Sequence, residues 1–195
     1  KHRILLTVLA LAGLLPFTMT AQDLNNESQK VTLHGSLQSD ILLPQEDESI
    51  GTGSYDHWAL TNTYADLYMM SQYVDAGARL EFTQFPLPGF EPDFQGWGVP
   101  HIYVKGKLRG AELTVGDMYD QFGSGFIFRT YEERSLGIDN ALRGARLHLT
   151  AIPGVQWKVL GGVQRTYWDW SAKAWVGGTD VEMNIDHYKK PSYLP

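Results

Sequence analysis

The residues able to do chemistry crowd into one stretch. Asp120, Arg129, Glu132, Glu133, Arg134 and Asp139 lie between Tyr119 and Leu142, and Arg146 follows just beyond. Opposed guanidiniums and carboxylates at this density have two uses. Folded into a pore, they set up a transverse field that sorts solutes by charge. Paired with each other and with Arg143 and Arg146, they pin the segment as structure. The spacing leaves both open. Gly123-Ser124-Gly125 stands before them. It fits neither the G-x-S-x-G nucleophile turn nor the phosphate loop G-x-x-x-x-G-K. We expect a bend from strand into loop there, not a nucleophile.

Other reactive side chains are scattered. The six His are His2, His34, His57, His101, His148 and His187, with no H-E-x-x-H and no pair at metal-ligand spacing. His34, His101 and His148 fall on polar strand faces and are expected to line a wet interior. Asp47, Glu48 and Asp56 lack the D-x-D-x-D-G order of a Ca²⁺ loop. The chain has 0 Cys, which excludes disulfides, thiolate metal sites, Cys nucleophiles and a lipidated Cys within these residues. The formal net charge is -6, so the basic footprint of a nucleic-acid binder is missing. The expectation is no enzyme, no cofactor and no metal.

The elements that would position these groups alternate with period two, the mark of half-buried strands. Ala145, Leu147, Leu149 and Ala151 share one face, against Gly144, Arg146, His148 and Thr150. After the turn signal Ile152-Pro153-Gly154, Val155, Trp157 and Val159 continue the apolar face, and Gln156 and Lys158 the polar one. The same alternation marks residues 31–41, 63–74, 78–83, 101–108 and 111–118, and 181–186 opens as an eighth strand. Arg79, Glu81, Lys105, Lys107, Arg146 and Lys158 fall on the polar faces, a mixed-sign set. Residues 85–100 carry Pro86, Pro88, Pro92 and Pro100 and read as loop, because proline breaks a ladder.

The connections alternate long and short: 44–62, 75–77, 85–100, 109–110, 119–142, 152–154. Short turns at one end and long loops at the other are the habit of a transmembrane β-barrel, whose strands need ~9–11 residues to cross. Aromatics near strand ends (Tyr64, Tyr73, Phe85, Trp97, Tyr119, Phe122, Tyr167, Trp168) suit an interfacial girdle. Residues 1–21 have a basic end, an apolar stretch Ile4–Leu15 and Ala21 before Gln22, which reads as a secretory signal peptide. Residues 22–30 read as a flexible lead-in. Residues 31–195 are then expected to be the N-terminal part of an antiparallel outer-membrane barrel with about 7–8 strands present and the C-terminal strands missing, since an open half-barrel would leave unpaired edges in lipid.

Five stretches carry a wider resemblance: NTYADLYM, AGARLEF, LPGFEPDFQGWGVPHIYV, LTVGDMYDQFGSGFIFRTYEERSLGIDNALRGARL and VQWKVLGGVQRTYW. Over roughly Leu60 to Trp168 the chain resembles an uncharacterised family of Bacteroidota outer-membrane β-barrel proteins. The resemblance implies a location and a fold, and no reaction.

The function expected first is a porin-like channel for small polar solutes, with outer-membrane lipid as its surroundings and Arg129, Glu132, Glu133, Arg134, Asp139 and Arg146 at a constriction. A different class is a non-conducting structural or assembly component of an envelope complex. A third is a secreted β-sandwich binding glycans through its loop aromatics, which would bury the Leu33/Leu67/Leu80/Leu147/Trp157 face against a second sheet.

Overall fold

The computed structural model describes residues 31–47, 49–51, 56–90, 94–165 and 174–185. The segments 1–21 and 22–30 lie outside the described residues. No described helix is long and apolar enough to cross a membrane, which says nothing of strands.

The fold is all-β. Ten strands are described: β1 (Thr32–Leu42), β2 (Leu60–Met70), β3 (Val74–Phe85), β4 (Gly96–Leu108), β5 (Ala111–Met118), β6 (Glu132–Glu133), β7 (Ile138–Asp139), β8 (Leu142–Leu149), β9 (Val155–Gln164) and β10 (Trp175–Met183). Eight of them form one sheet in the order β1-β2-β3-β4-β5-β8-β9-β10, each pair antiparallel. β6 and β7 make a separate small hairpin inside the long 119–141 connection. Long connections sit at one end of the sheet and short ones at the other, and 165–174 adds a fourth long one. The sheet is open: β1 and β10 are its edges, with no pairing between them among the described residues.

The two faces have opposite polarity. On one, register lines up Leu67, Ala78 and Ile102 across β2, β3 and β4. Leu113, Leu147 and Val159 continue it across β5, β8 and β9, and Trp157 meets Val181 of β10. This apolar face is the exposed one: Leu67 is 59% exposed, Leu80 53%, Val115 52% and Val181 54%. No described element covers it. The other face carries Asp66, Arg79, Glu81, His101 and Thr114, all largely buried. A soluble sheet is patterned the other way, apolar side in.

A transverse crease shapes the inner face. Register places Tyr68, Gly77, Tyr103, Gly116, Gly144 and Gly162 in one row from β2 to β9. Tyr68 and Tyr103 lean over Gly77, and a Cβ there would lie 2.5 Å from Tyr103 Cε1. At Gly116, Gly144 and Gly162 a Cβ would instead strike the neighbouring backbone, at 2.2, 2.1 and 2.4 Å. Glycine permits that approach, so the strands fold sharply along the row. Gly116 also has φ 117°, and beyond it the alternation breaks. Asp117 would point outward after Leu113 and Val115 but is 1% exposed, its Oδ2 accepting the Ile102 N–H at 2.9 Å.

Several boundaries differ from the sequence reading. The second turn is 71–73, not 75–77, because Ser71 closes it: its hydroxyl donates to the Val74 carbonyl at 2.6 Å, and its amide donates to the same oxygen at 3.0 Å. β4 begins at Gly96 and includes Pro100. Arg79 faces His101 while Glu81 faces Gly98, so Pro100 falls in a bulge, where its missing N–H costs no ladder bond. β10 starts at Trp175, ahead of the strand read from 181, and takes in Gly177 and Gly178.

Candidate functional site

The site is the polar face together with the 119–141 connection folded across it. That connection has two lobes. The first, residues 120–130, closes on itself: Phe122 N–H donates to the Phe128 carbonyl at 3.0 Å and Thr130 N–H to the Asp120 carbonyl at 2.8 Å. Gly123 (φ 49°) and Gly125 (φ 82°) make its turn, so Gly123-Ser124-Gly125 is a bend, placed a few residues into the lobe. Phe122 and Phe128 pack on the buried core of Met118, Leu142 and Leu160. Asp120 accepts from Arg146 Nη1 at 2.7 Å and Lys158 Nζ at 3.1 Å, and Asp180 of β10 accepts from Gly123 N–H at 3.3 Å.

Burial alone would raise the Asp120 carboxyl. The hydrogen bonds from Arg146, Lys158 and the Gln121 amide outweigh it and hold the group below the ordinary carboxylate value. Burial, with the Asp139 and Glu132 charges beside it, pushes the Tyr119 hydroxyl far above the ordinary phenol value. It therefore stays protonated and donates to Asp139 Oδ1 at 3.0 Å.

The second lobe is the β6–β7 hairpin. Its base is held where Tyr131 N–H donates to Asn140 Oδ1 at 2.6 Å, and Asp139 pairs with Arg165. Its tip is a 3-10 turn, Arg134–Leu136, closed by Gly137 at φ 65°. The tip reaches the far side of the sheet. Glu132 Oε1 accepts from Arg79 Nη1 at 2.5 Å, and Arg79 Nε also donates to Asp66 at 2.6 Å. Arg134 lies 3.0 Å from Glu132, 3.6 Å from Asp66 and 4.5 Å over the Tyr64 ring, and donates to Gln38 of β1 at 3.4 Å. Gly137 packs beneath Phe90, whose ring meets Phe94 edge-on at 5.4 Å.

The sequence candidates thus separate. Glu132, Arg134, Asp139 and Arg146 join the network. Glu133 does not: it caps the 3-10 turn by accepting from Ser135 Oγ at 2.5 Å. Arg129 is exposed and stacks on Tyr131, 4.8 Å from its centroid. Asp66, Asp120, Asp117 and Arg165 carry as much of the network as the predicted six. Asp117 holds Arg143 at 2.8 Å, and the Arg165 side chain is 0% exposed between Asp117 and Asp139. Only for Asp66 was the signal parity: it shares the polar strand face with Tyr68. His101 does not line an open interior, being 7% exposed and stacked on Tyr119 at 5.3 Å. Tyr64, Tyr119 and Phe122 also turn inward instead of joining a girdle, whereas Trp97 (70% exposed) and Tyr73 (54%) stay outside.

Chemically the arrangement has opposed, mutually neutralised charges. No cluster of three His, Asp or Glu among the described residues is placed to hold a metal.

Residues 1–194 match a family of unknown function, DUF6029. The chain belongs to this family. No curated protein matches the chain. Family membership thus supplies no reaction, and the reading of the site rests on its geometry.

Proposed function

We propose that the sheet is wall of an outer-membrane β-barrel, with this chain giving its N-terminal strands, and that the barrel is a porin-like passage for small polar solutes. The observation that carries this is the inverted polarity of the sheet. Its apolar face is exposed and its charged face is lined, paired and covered by the 119–141 connection. In water that pattern would be costly; in a bilayer the apolar face meets acyl chains and the polar face meets the lumen. Among the described residues β1 and β10 are unpaired edges, and a sheet in lipid must pair every edge, so this reading requires further strands to close the wall. The export of the chain and its Bacteroidota envelope location are part of this reading. A glycan-binding sandwich would need a second sheet over the apolar face, and no described element lies there.

A second reading is a non-conducting envelope scaffold. The mutual neutralisation of Asp66, Arg79, Glu132 and Arg134 favours it, since the charges hold one another rather than a solute.

The test is fractionation of the full-length protein followed by gel migration with and without boiling. Outer-membrane location with a faster unboiled band is expected. A soluble protein with no shift would end the barrel reading. Conductance in planar bilayers then separates channel from scaffold.

A further inference from the structure

The two lobes of the 119–141 connection are held in different ways. The first is rooted in apolar packing on Met118, Leu142 and Leu160. The second is a two-stranded arm whose base stands beside β5 and β8 and whose tip lies against β1, β2 and β3. It crosses the polar face like a bar. At the base it is fixed by Tyr131–Asn140 hydrogen bonds and the Asp139–Arg165 pair. Opposite Asp139, Glu132 is held by Arg79, and beyond that rung the attachments are Arg134 on Asp66 and Tyr64 and Gly137 beneath Phe90. The apolar tip residue Leu136 is 61% exposed and anchors nothing.

We infer that residues 133–138 form a hinged tip that closes the passage when it is latched by Arg134 and opens it when the latch is released. The inference rests on the barrel reading and adds a regulated element to it. Release begins at the tip. Arg134 is 27% exposed and Glu132 18%, so dissolved salt reaches the latch, while Arg165 at the base is 0% exposed and is screened far less. The hinge falls at the Glu132–Asp139 rung, which Arg79 and Arg165 hold from its two sides. Asp66, Glu81 and Arg79 face the tip from the wall, and Gln38 from β1. With Arg134 swung away, Arg79 still holds Asp66 at 2.6 Å and stays paired with Glu132.

The experiment uses the full-length protein in planar bilayers, each variant first checked for the heat-shifted band. Arg134→Ala and Arg134→Gln should raise the fraction of time in a larger conductance state at least tenfold, since losing one partner of a largely buried pair is worth more than the ~1.4 kcal/mol that a factor of ten represents. Raising KCl should have a similar effect on the wild type once the conductance is scaled to the salt. These residues contain no Cys, so Gln38→Cys with Arg134→Cys can be bridged by a cleavable bifunctional thiol reagent. The bridge should abolish the larger state, and cleaving it should restore that state. Variants that shift on heating yet conduct like the wild type would overturn the arm, as would a bridged protein that still reaches the larger state. Shifted bands with no conductance in any variant would also overturn it. Absence of both the shift and the conductance throughout would instead sink the barrel reading.

Discussion

Arg79 and Glu132 stand 53 residues apart in the chain, yet Nη1 of one lies 2.5 Å from Oε1 of the other. The contact joins the wall at β3 to a hairpin that leaves the sheet after β5. Arg79 also holds Asp66 at 2.6 Å and faces Glu81 at 3.8 Å, with its own side chain 5% exposed. Arg79→Leu removes the cation from three carboxylates at once. Stranding buried charge costs more than the pair gained, so we expect a loss of about 3–5 kcal/mol. The check is the urea or thermal midpoint at which the fast-migrating band disappears. A change below about 1 kcal/mol, the scale of a solvated pair, would show that water fills the cluster.

The two faces of β8 give a sharper contrast. Leu147 is on the apolar exposed face, aligned with Leu113 and Val159; His148 is on the polar one, aligned with Glu112 and Lys158. Leu147→Arg should cost ~2–4 kcal/mol if the residue sits near the bilayer midplane. His148→Arg, one residue on, should be tolerated beside Glu112. Folding yields in lipid vesicles measure both. Equal damage from the two changes would mean that the face assignment is wrong.

The crease makes a prediction about adjacent glycines. At Gly162 an added Cβ would lie 2.4 Å from the Arg143 carbonyl oxygen, and backbone cannot step aside. At Gly161 the nearest atom is 3.9 Å away. Gly162→Ala should therefore cost about 1–3 kcal/mol or more, the range for overpacking, while Gly161→Ala should be near neutral. Comparing the thermal midpoints of the two variants tests this. Equal midpoints would mean that the strands do not approach so closely along the row.

Much of the wall was legible because alternation is local. The runs in β8 and β9 show their faces directly, and the long/short order of connections carries through to β10. What escaped was decided elsewhere in the chain. Pro100 is harmless only because the β3–β4 register slips at that point. The strand read from 181 begins at Trp175, and Gly178 within it makes room for the Phe122 ring, 2.6 Å from where its Cβ would be. The candidate site was half legible. Composition flagged the charged loop, but its partners Asp66, Arg79 and Arg165 come from three other stretches, and period-two parity says which face a residue shares, not which residue it meets. Asp117 defeated even parity, because Gly116 redirects it.

Asp120 ties the rooted lobe to β8 and β9, and it gives this contact a pH dependence. Its carboxyl is held below the ordinary value of about 4 because the bonds from Arg146, Lys158 and the Gln121 amide outweigh burial. A folded value depressed below the unfolded one adds stability above the unfolded value and loses it as pH falls through the folded one. At neutral pH the wild type should thus be more stable than Asp120→Asn. The difference should shrink below the ordinary carboxylate value and vanish once Asp120 is protonated in the folded protein. Thermal midpoints of the two proteins, taken from neutral to strongly acid buffer, should converge. Arg146→Gln should lower the wild-type advantage at neutral pH and move the convergence upward, since the first cation on Asp120 is gone. A gap between wild type and Asp120→Asn that stays constant across the whole range would mean that the charge on Asp120 contributes nothing to the docked lobe.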